Sequence, residues 1–292
     1  MDRLLFLLAT GLARGAVFAL FALSLVLIWR AARIVNFAQG AMALAATYAA
    51  FAATALSGSY LVGLLVGILS GAAIGFIVER GVMRFAPPGR PLTGVIAAIG
   101  LVMVLQSLLG IAFGPQYRPM RAPFDDSPIL VAGVPLLSPY DLFVLVVALA
   151  VMAGLALLFA RTSLGLQLRA SAFAPEVSRV LGVRVGRMVT IGWMLSAAVA
   201  ALAAILLMPT ELGLNPHATD VLFVYAFTVA VVGGLDSPAG ALFGGLIVGV
   251  AMTLVTGYLG ASVAPIGVLV LLVAVLLVKP GGVFSLREAR SA

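Results

Sequence analysis

Residues 141–160 read DLFVLVVALAVMAGLALLFA, with one charge, Asp141, at the first position. A helix of that length rises about 30 Å, the thickness of the hydrocarbon core of a bilayer. Apolar and polar side chains do not alternate along it, as they would in the strand of a membrane barrel. Backbone groups in lipid find no water, so such a segment satisfies them internally as an α-helix. Comparable runs recur near 4–29, 37–57, 60–80, 93–113, 188–208, 219–233, 239–256 and 263–279. The expected fold is therefore an all-α polytopic membrane protein of eight to nine transmembrane helices. The count turns on residues about 30–40 and 233–240, which are rich in polar or small residues and read as candidate broken or re-entrant stretches.

Composition agrees. Hydrophobic residues make up 63% of 292 positions and charged residues 9%, where a soluble domain carries about 25% charged residues. The net charge of +7 is sorted by side, not clustered as a nucleic-acid footprint. With the amino terminus periplasmic and nine crossings, the cytoplasmic loops hold Arg30, Arg33, Arg80, Arg84, Arg90, Arg161, Arg169, Arg179, Arg184, Arg187, Lys279, Arg287 and Arg290. The outer segments keep Arg3, Arg118 and Arg121, together with the acids Asp125, Asp126, Glu211 and Asp220; Arg14 falls within the first span. Basic loops stay cytoplasmic, which places the carboxyl terminus inside. The first apolar run continues past Arg14 and reads as a retained span, not a cleaved signal.

The whole chain, 1–292, then reads as a single transmembrane domain with two hydrophilic excursions. The stretch at about 114–140, with Pro115, Pro119, Pro123, Pro128, Pro135 and Pro139, is expected to be an extended outer loop. The stretch at about 161–187 is expected to hold a short amphipathic cytoplasmic helix, which either anchors its neighbouring spans or serves a partner. Glycines recur every fourth residue at Gly63, Gly67, Gly71 and Gly75 and so share one helix face; Gly11/Gly15, Gly110/Gly114, Gly240/Gly244 and Gly245/Gly249 repeat the spacing. Such faces let helix backbones pack closely or line a passage.

Several chemistries are excluded. Without cysteine there is no thiol nucleophile or thiolate metal site, and one histidine, His217, makes no multi-histidine site. There is no phosphate-binding G-x-x-x-x-G-K-[ST] loop and no G-x-S-x-G or H-E-x-x-H motif. Glu79, Asp220 and Asp236 fall at span ends, so no mid-membrane ionisable relay is evident. Glu79 beside Arg80 reads as a boundary anchor, and His217 as an interfacial residue. An ion-coupled carrier or a membrane enzyme is thus disfavoured.

Three segments together resemble a known family: Val35-Asn36-Phe37-Ala38-Gln39-Gly40 after the first span; Thr162 to Gly182 with Arg169-Ala170; and Gly233-Gly234-Leu235-Asp236-Ser237-Pro238-Ala239-Gly240-Ala241 before a late span. In order and spacing they resemble the permease subunits of branched-chain amino-acid ABC importers, the LivH-like half. The resemblance runs from about Gly11 to Gly282. Ala41 stands where relatives often carry an acid, and Asp236 where a glycine commonly precedes the serine.

The resemblance implies a partner set: a second, LivM-like permease, two cytosolic ATPase subunits that bind ATP and Mg, and a periplasmic substrate-binding protein. The chain itself would bind no cofactor or metal and catalyse nothing, and it would lie in the bacterial inner membrane. Cargo would be branched-chain or other amino acids, with urea, short amides and small organic acids as alternatives. The helix near 161–187 becomes a coupling helix, with Arg169, Ala170, Glu176, Arg179 and Gly182 as candidate ATPase contacts. Asn36, Gln39, Gly40, Gly233, Gly234 and Ser237 become candidate pathway residues. Asn36 and Gln39 either pair with groups at a helix break or line a hydrated passage.

Overall fold

The computed structural model describes residues 2–85, 91–125, 127–131, 134–211, 213–279 and 282. Arg90, Asp126, Arg287 and Arg290 lie outside the described residues. The helices are α1 (Asp2–Ala32), α2 (Gln39–Ser57), α3 (Tyr60–Gly81), α4 (Pro91–Phe113), α5 (Pro139–Arg161), α6 (Ser163–Phe173), α7 (Pro175–Val180), α8 (Val185–Leu207), α9 (Asp220–Gly233), α10 (Pro238–Leu259) and α11 (Ala264–Val278). Among the described residues, eight helices are long and apolar enough to cross a membrane, and α9 is a shorter apolar helix. Its 14 residues rise about 21 Å, short of a full crossing.

Local chemistry sets the ends. The Ser138 hydroxyl accepts from the Asp141 amide while Asp141 Oδ2 accepts from the Ser138 amide, at 3.0 and 3.1 Å. This capping box, with Pro139 at the first helical position, starts α5 before Asp141. The loop ahead of it is mostly irregular, with a two-residue hairpin of β1 (Leu130–Val131) and β2 (Val134–Pro135) and a bridge from Arg118 to Leu214.

Helix α1 forms the centre. It is apolar on every side, as a helix buried all round must be, and Ala16, Ala19, Leu20, Phe21 and Ala22 are fully buried. It packs most extensively on α10, antiparallel, through glycine. A Cβ at Gly15 would lie 2.9 Å from Gly245 O, and one at Gly11 2.9 Å from Val250 Cα. The glycine comb of α3 works likewise against α2 and α8. A Cβ at Gly63 would meet Ala50 O at 2.7 Å, at Gly67 Ala50 Cβ at 2.8 Å, at Gly71 Ala197 O at 2.8 Å and at Gly75 Trp193 O at 2.6 Å. These faces are occupied by helices of the same chain.

Two readings of spacing need correction. Gly114 is no packing partner of Gly110: it ends α4 with φ +78, its amide bonded to Gly110 O at 2.9 Å. The stretch at about 161–187 forms two helices, α6 and α7, because Pro175 has no N–H to continue the first one and opens the second.

Candidate translocation and coupling sites

The first break lies between α1 and α2. Helix α1 ends at Ala32, and Arg33 turns the chain with φ +55, the single positive-φ residue other than glycine among the described residues. Residues 33–38 are not helical. The next helix begins with Gln39, fully buried beside Asn36. Buried amides must be paired, and these are. Gln39 Nε2 is 2.9 Å from Ser196 Oγ and 3.2 Å from Ser24 Oγ. Gln39 Oε1 accepts from Asn36 Nδ2 at 2.7 Å, and Asn36 Oδ1 accepts from the Ala38 amide at 3.0 Å. Ser196 Oγ donates to Ser24 O at 2.7 Å. The Thr219 hydroxyl, at the head of α9, donates to Gly40 O at 2.9 Å.

The network ties α1, α2 and α8, with Thr219 ahead of α9, around the break. Ser24 lies eight residues before Ala32, so Gln39 is bonded about 12 Å back from the end of α1. Helix α2 therefore starts alongside α1 and not beyond its end.

The second break joins α9 to α10. Gly233 ends α9, Gly234 takes φ +94, and the Ser237 hydroxyl caps α10 by accepting from the Gly240 amide at 2.9 Å. A Cβ at Gly233 would lie 2.9 Å from Ala241 N and one at Gly244 3.2 Å from Val229 O. Only glycine lets the hairpin close this tightly. Arg33 Nη1 meets Asp236 Oδ1 at 2.8 Å, which links the two breaks.

At the same end of the bundle, α6 folds back on α5. The Thr162 hydroxyl caps it from the Gly165 amide at 3.0 Å. A Cβ at Gly165 would lie 2.6 Å from Phe159 Cα, so glycine permits the turn. Arg169 faces back toward the spans, lining a cavity of about 540 Å³ with Arg30, Arg33, Asp236, Leu27 and Phe159. Ala170 is half-buried. Glu176 and Arg179 point outward and pair at 2.6 Å. Gly182, at φ +82, turns the chain toward α8. Around them stand Phe173, Val177, Val180 and Leu181, between 59% and 89% exposed.

Sequence reasoning missed this apolar rim, which is visible as four large side chains interleaved with the charges it did weigh. It also missed Ser24 and Ser196, single hydroxyls in apolar runs. Glu79, two residues before the end of α3, is 5% exposed and accepts from the Thr190 hydroxyl at 2.8 Å, with Arg80 Nε at 3.7 Å. Among the described residues no group of three or more metal-binding side chains converges.

The chain is thus a helical bundle with eight candidate membrane spans, two glycine-assisted helix breaks and a pair of helices standing off one end. The family defined as branched-chain amino acid transport system, permease component, matches residues 7–278, and the chain belongs to it. It is a permease subunit of an ATP-binding-cassette importer and a multi-pass protein of the bacterial inner membrane. It is 30% identical to the high-affinity branched-chain amino acid transport system permease protein BraD of Pseudomonas aeruginosa, over 96% of this chain and 95% of that protein. It is 27% identical to the permease protein LivH of Escherichia coli, over 95% and 94%. The probable LivH of Methanocaldococcus jannaschii is 28% identical, over 90% of this chain and 87% of that one. Its fold is similar to that in the structure of PsaBC from Streptococcus pneumoniae in complex with Fab, with TM-score 0.52 and 13% identity over 92% of this chain and 89% of that one.

Proposed function

We propose that this chain forms half of the pathway by which branched-chain or closely related amino acids enter the cell. Its partners in this reading are a LivM-like permease, two ATPase subunits that bind ATP and Mg, and a periplasmic binding protein. The chain itself catalyses no reaction and binds no nucleic acid. The amino terminus is periplasmic and the carboxyl terminus cytoplasmic, so α6 and α7 meet the ATPase.

The observation that carries this reading is the α6–α7 pair. Four large apolar side chains are exposed outside the long helices, beside the exposed Glu176 and Arg179. Lipid does not cover a cytoplasmic helix, so a protein groove is the natural cover. The cargo reading rests on the family and its relatives.

Mechanically, ATP-driven closure of the two ATPases pushes α6 and α7 against the ends of α1, α5 and α8. The α1–α2 and α9–α10 breaks are where rigid helices can re-angle. Gly40, Gly233, Gly234 and Ser237 give those breaks their close backbone approach and cap, while Asn36 and Gln39 hold the first one together. In the conformation described, Asn36 and Gln39 act as a clasp.

Tagged full-length chain, purified in mild detergent from its own host, tests the partner set. It should bring down a second permease and an ATPase, and Val180→Asp should release the ATPase while the second permease stays. An ATPase that remains bound to that variant removes α7 from the contact.

A further inference from the structure

Helix α4 buries the least of the long helices. Ile96, Ile99, Met103, Val104, Leu108 and Ile111 are each at least half exposed. Gln106 interrupts this apolar surface. Its Nε2 donates to Asp220 Oδ1 at 2.8 Å, and Asp220 Oδ2 lies 3.0 Å from His217 Nδ1. The carboxylate thus has a neutral amide and an imidazole as partners. No arginine or lysine pairs with it among the described residues.

Gln106 lies seven residues before Phe113, about 10 Å inside the end of α4, so Asp220 at the head of α9 is bonded alongside that helix and not beyond its end. The Asp220 and His217 side chains nevertheless remain 49% and 70% exposed. An open carboxylate beside a spanning helix does not face hydrocarbon, where an unpaired charge is costly; it faces water or protein. Below it on α9, Phe223 and Phe227 stack at 6.1 Å, and Phe37, within the first break, meets each at 6.2 Å. A Cβ at Gly40 would touch Phe223 Cβ at 3.3 Å. The polar cluster therefore stands above an aromatic group that leans on the α1–α2 break.

We propose that Asp220, held by Gln106 and His217, is a polar station on the pathway wall that receives the ammonium end of the passing amino acid. The inference rests on the reading of the chain as an importer permease, and it assigns the α4–α9 face to the aqueous pathway. A carboxylate attracts an ammonium group and repels a carboxylate, which orients a zwitterion. Its exposure keeps binding weak, as a conducting path requires.

The test uses the complete importer in proteoliposomes, with leucine and its binding protein. Asp220→Asn should lower leucine moved per ATP hydrolysed by about tenfold, the scale of one charge-assisted hydrogen bond, while ATPase stimulation by loaded binding protein persists. Asp220→Glu should recover part of the transport. Because the chain has no cysteine, Met103→Cys and Val224→Cys each introduce one thiol on this face. Both should react with a membrane-impermeant maleimide added from the periplasmic side. Normal coupling in Asp220→Asn, or two unreactive thiols in the assembled importer, overturns the station. A wild-type importer that moves no leucine overturns the cargo reading instead, and the thiol result still judges the face.

Discussion

Arg33 and Asp236 form an ion pair, Nη1 to Oδ1 at 2.8 Å, that ties the break after α1 to the break before α10. Each residue belongs to a different helical hairpin, and both line the cavity under α6 with Arg30 and Arg169. Asp236 pairs with Arg33, and Arg30 and Arg169 stand in the same cavity. With both side chains about half exposed, the pair contributes ~0–1 kcal/mol to stability. Its larger effect is on the relative position of the two breaks.

Asp236→Asn should accordingly leave the melting temperature nearly unchanged and impair transport. The exchange Arg33→Asp with Asp236→Arg should restore part of it. Equal transport in Asp236→Asn and wild type, measured as ATP-driven uptake, would show that the pair carries no coupling.

The glycine comb makes a sharper stability prediction, because glycine-to-alanine should change sign with position. At Gly75 an added Cβ would press on Trp193 O at 2.6 Å, whereas at Gly154 nothing lies within 4 Å. Gly75→Ala should lose about 1–3 kcal/mol by overpacking, and Gly154→Ala should be neutral or gain up to ~1 kcal/mol of helix propensity. Thermal unfolding in detergent reads both. A Gly75→Ala variant as stable as wild type would mean that α3 and α8 do not pack as described.

The buried amides give a third expectation. Gln39→Leu removes the acceptor of Asn36 Nδ2 and the donor that reaches Ser24 and Ser196. Stranding buried polar groups costs about 1–3 kcal/mol, so the melting temperature should fall. Thr47→Val is the control, since the Thr47 hydroxyl bonds only Ala43 O within its own helix. Similar losses in the two variants would argue against the network.

Much of the fold was legible in the chain, because lipid demands long apolar runs and these were plain. The spans expected at 60–80 and 188–208 became Tyr60–Gly81 and Val185–Leu207, while the one expected at 219–233 became the shorter helix Asp220–Gly233. What escaped has physical reasons. The break at Ala174–Pro175 was readable from the missing proline N–H but was merged into one amphipathic pattern. Gly110 and Gly114 have packing spacing, yet Gly114 stands beyond the helix end, where spacing no longer describes a face. Asn36 and Gln39 left two fates open because the partner that settles their burial, Ser196, is 157 residues from Gln39. The Gln106–Asp220 bond likewise spans 114 residues. Periodicity reports what faces lipid or core; it is silent on which distant polar groups meet.

The importer reading also predicts separable defects at α7. Reversing both Glu176 and Arg179 charges should lower ATPase stimulation by loaded binding protein while binding-protein docking at the opposite end persists. Loss of docking together with stimulation would point to misfolding of the whole subunit.

The most direct measurement is uptake of labelled leucine by proteoliposomes that hold this chain with its partner permease and ATPase. The account predicts accumulation only when ATP and loaded binding protein are both supplied, and none from the chain alone. ATP-independent leucine flux through the chain by itself would contradict it.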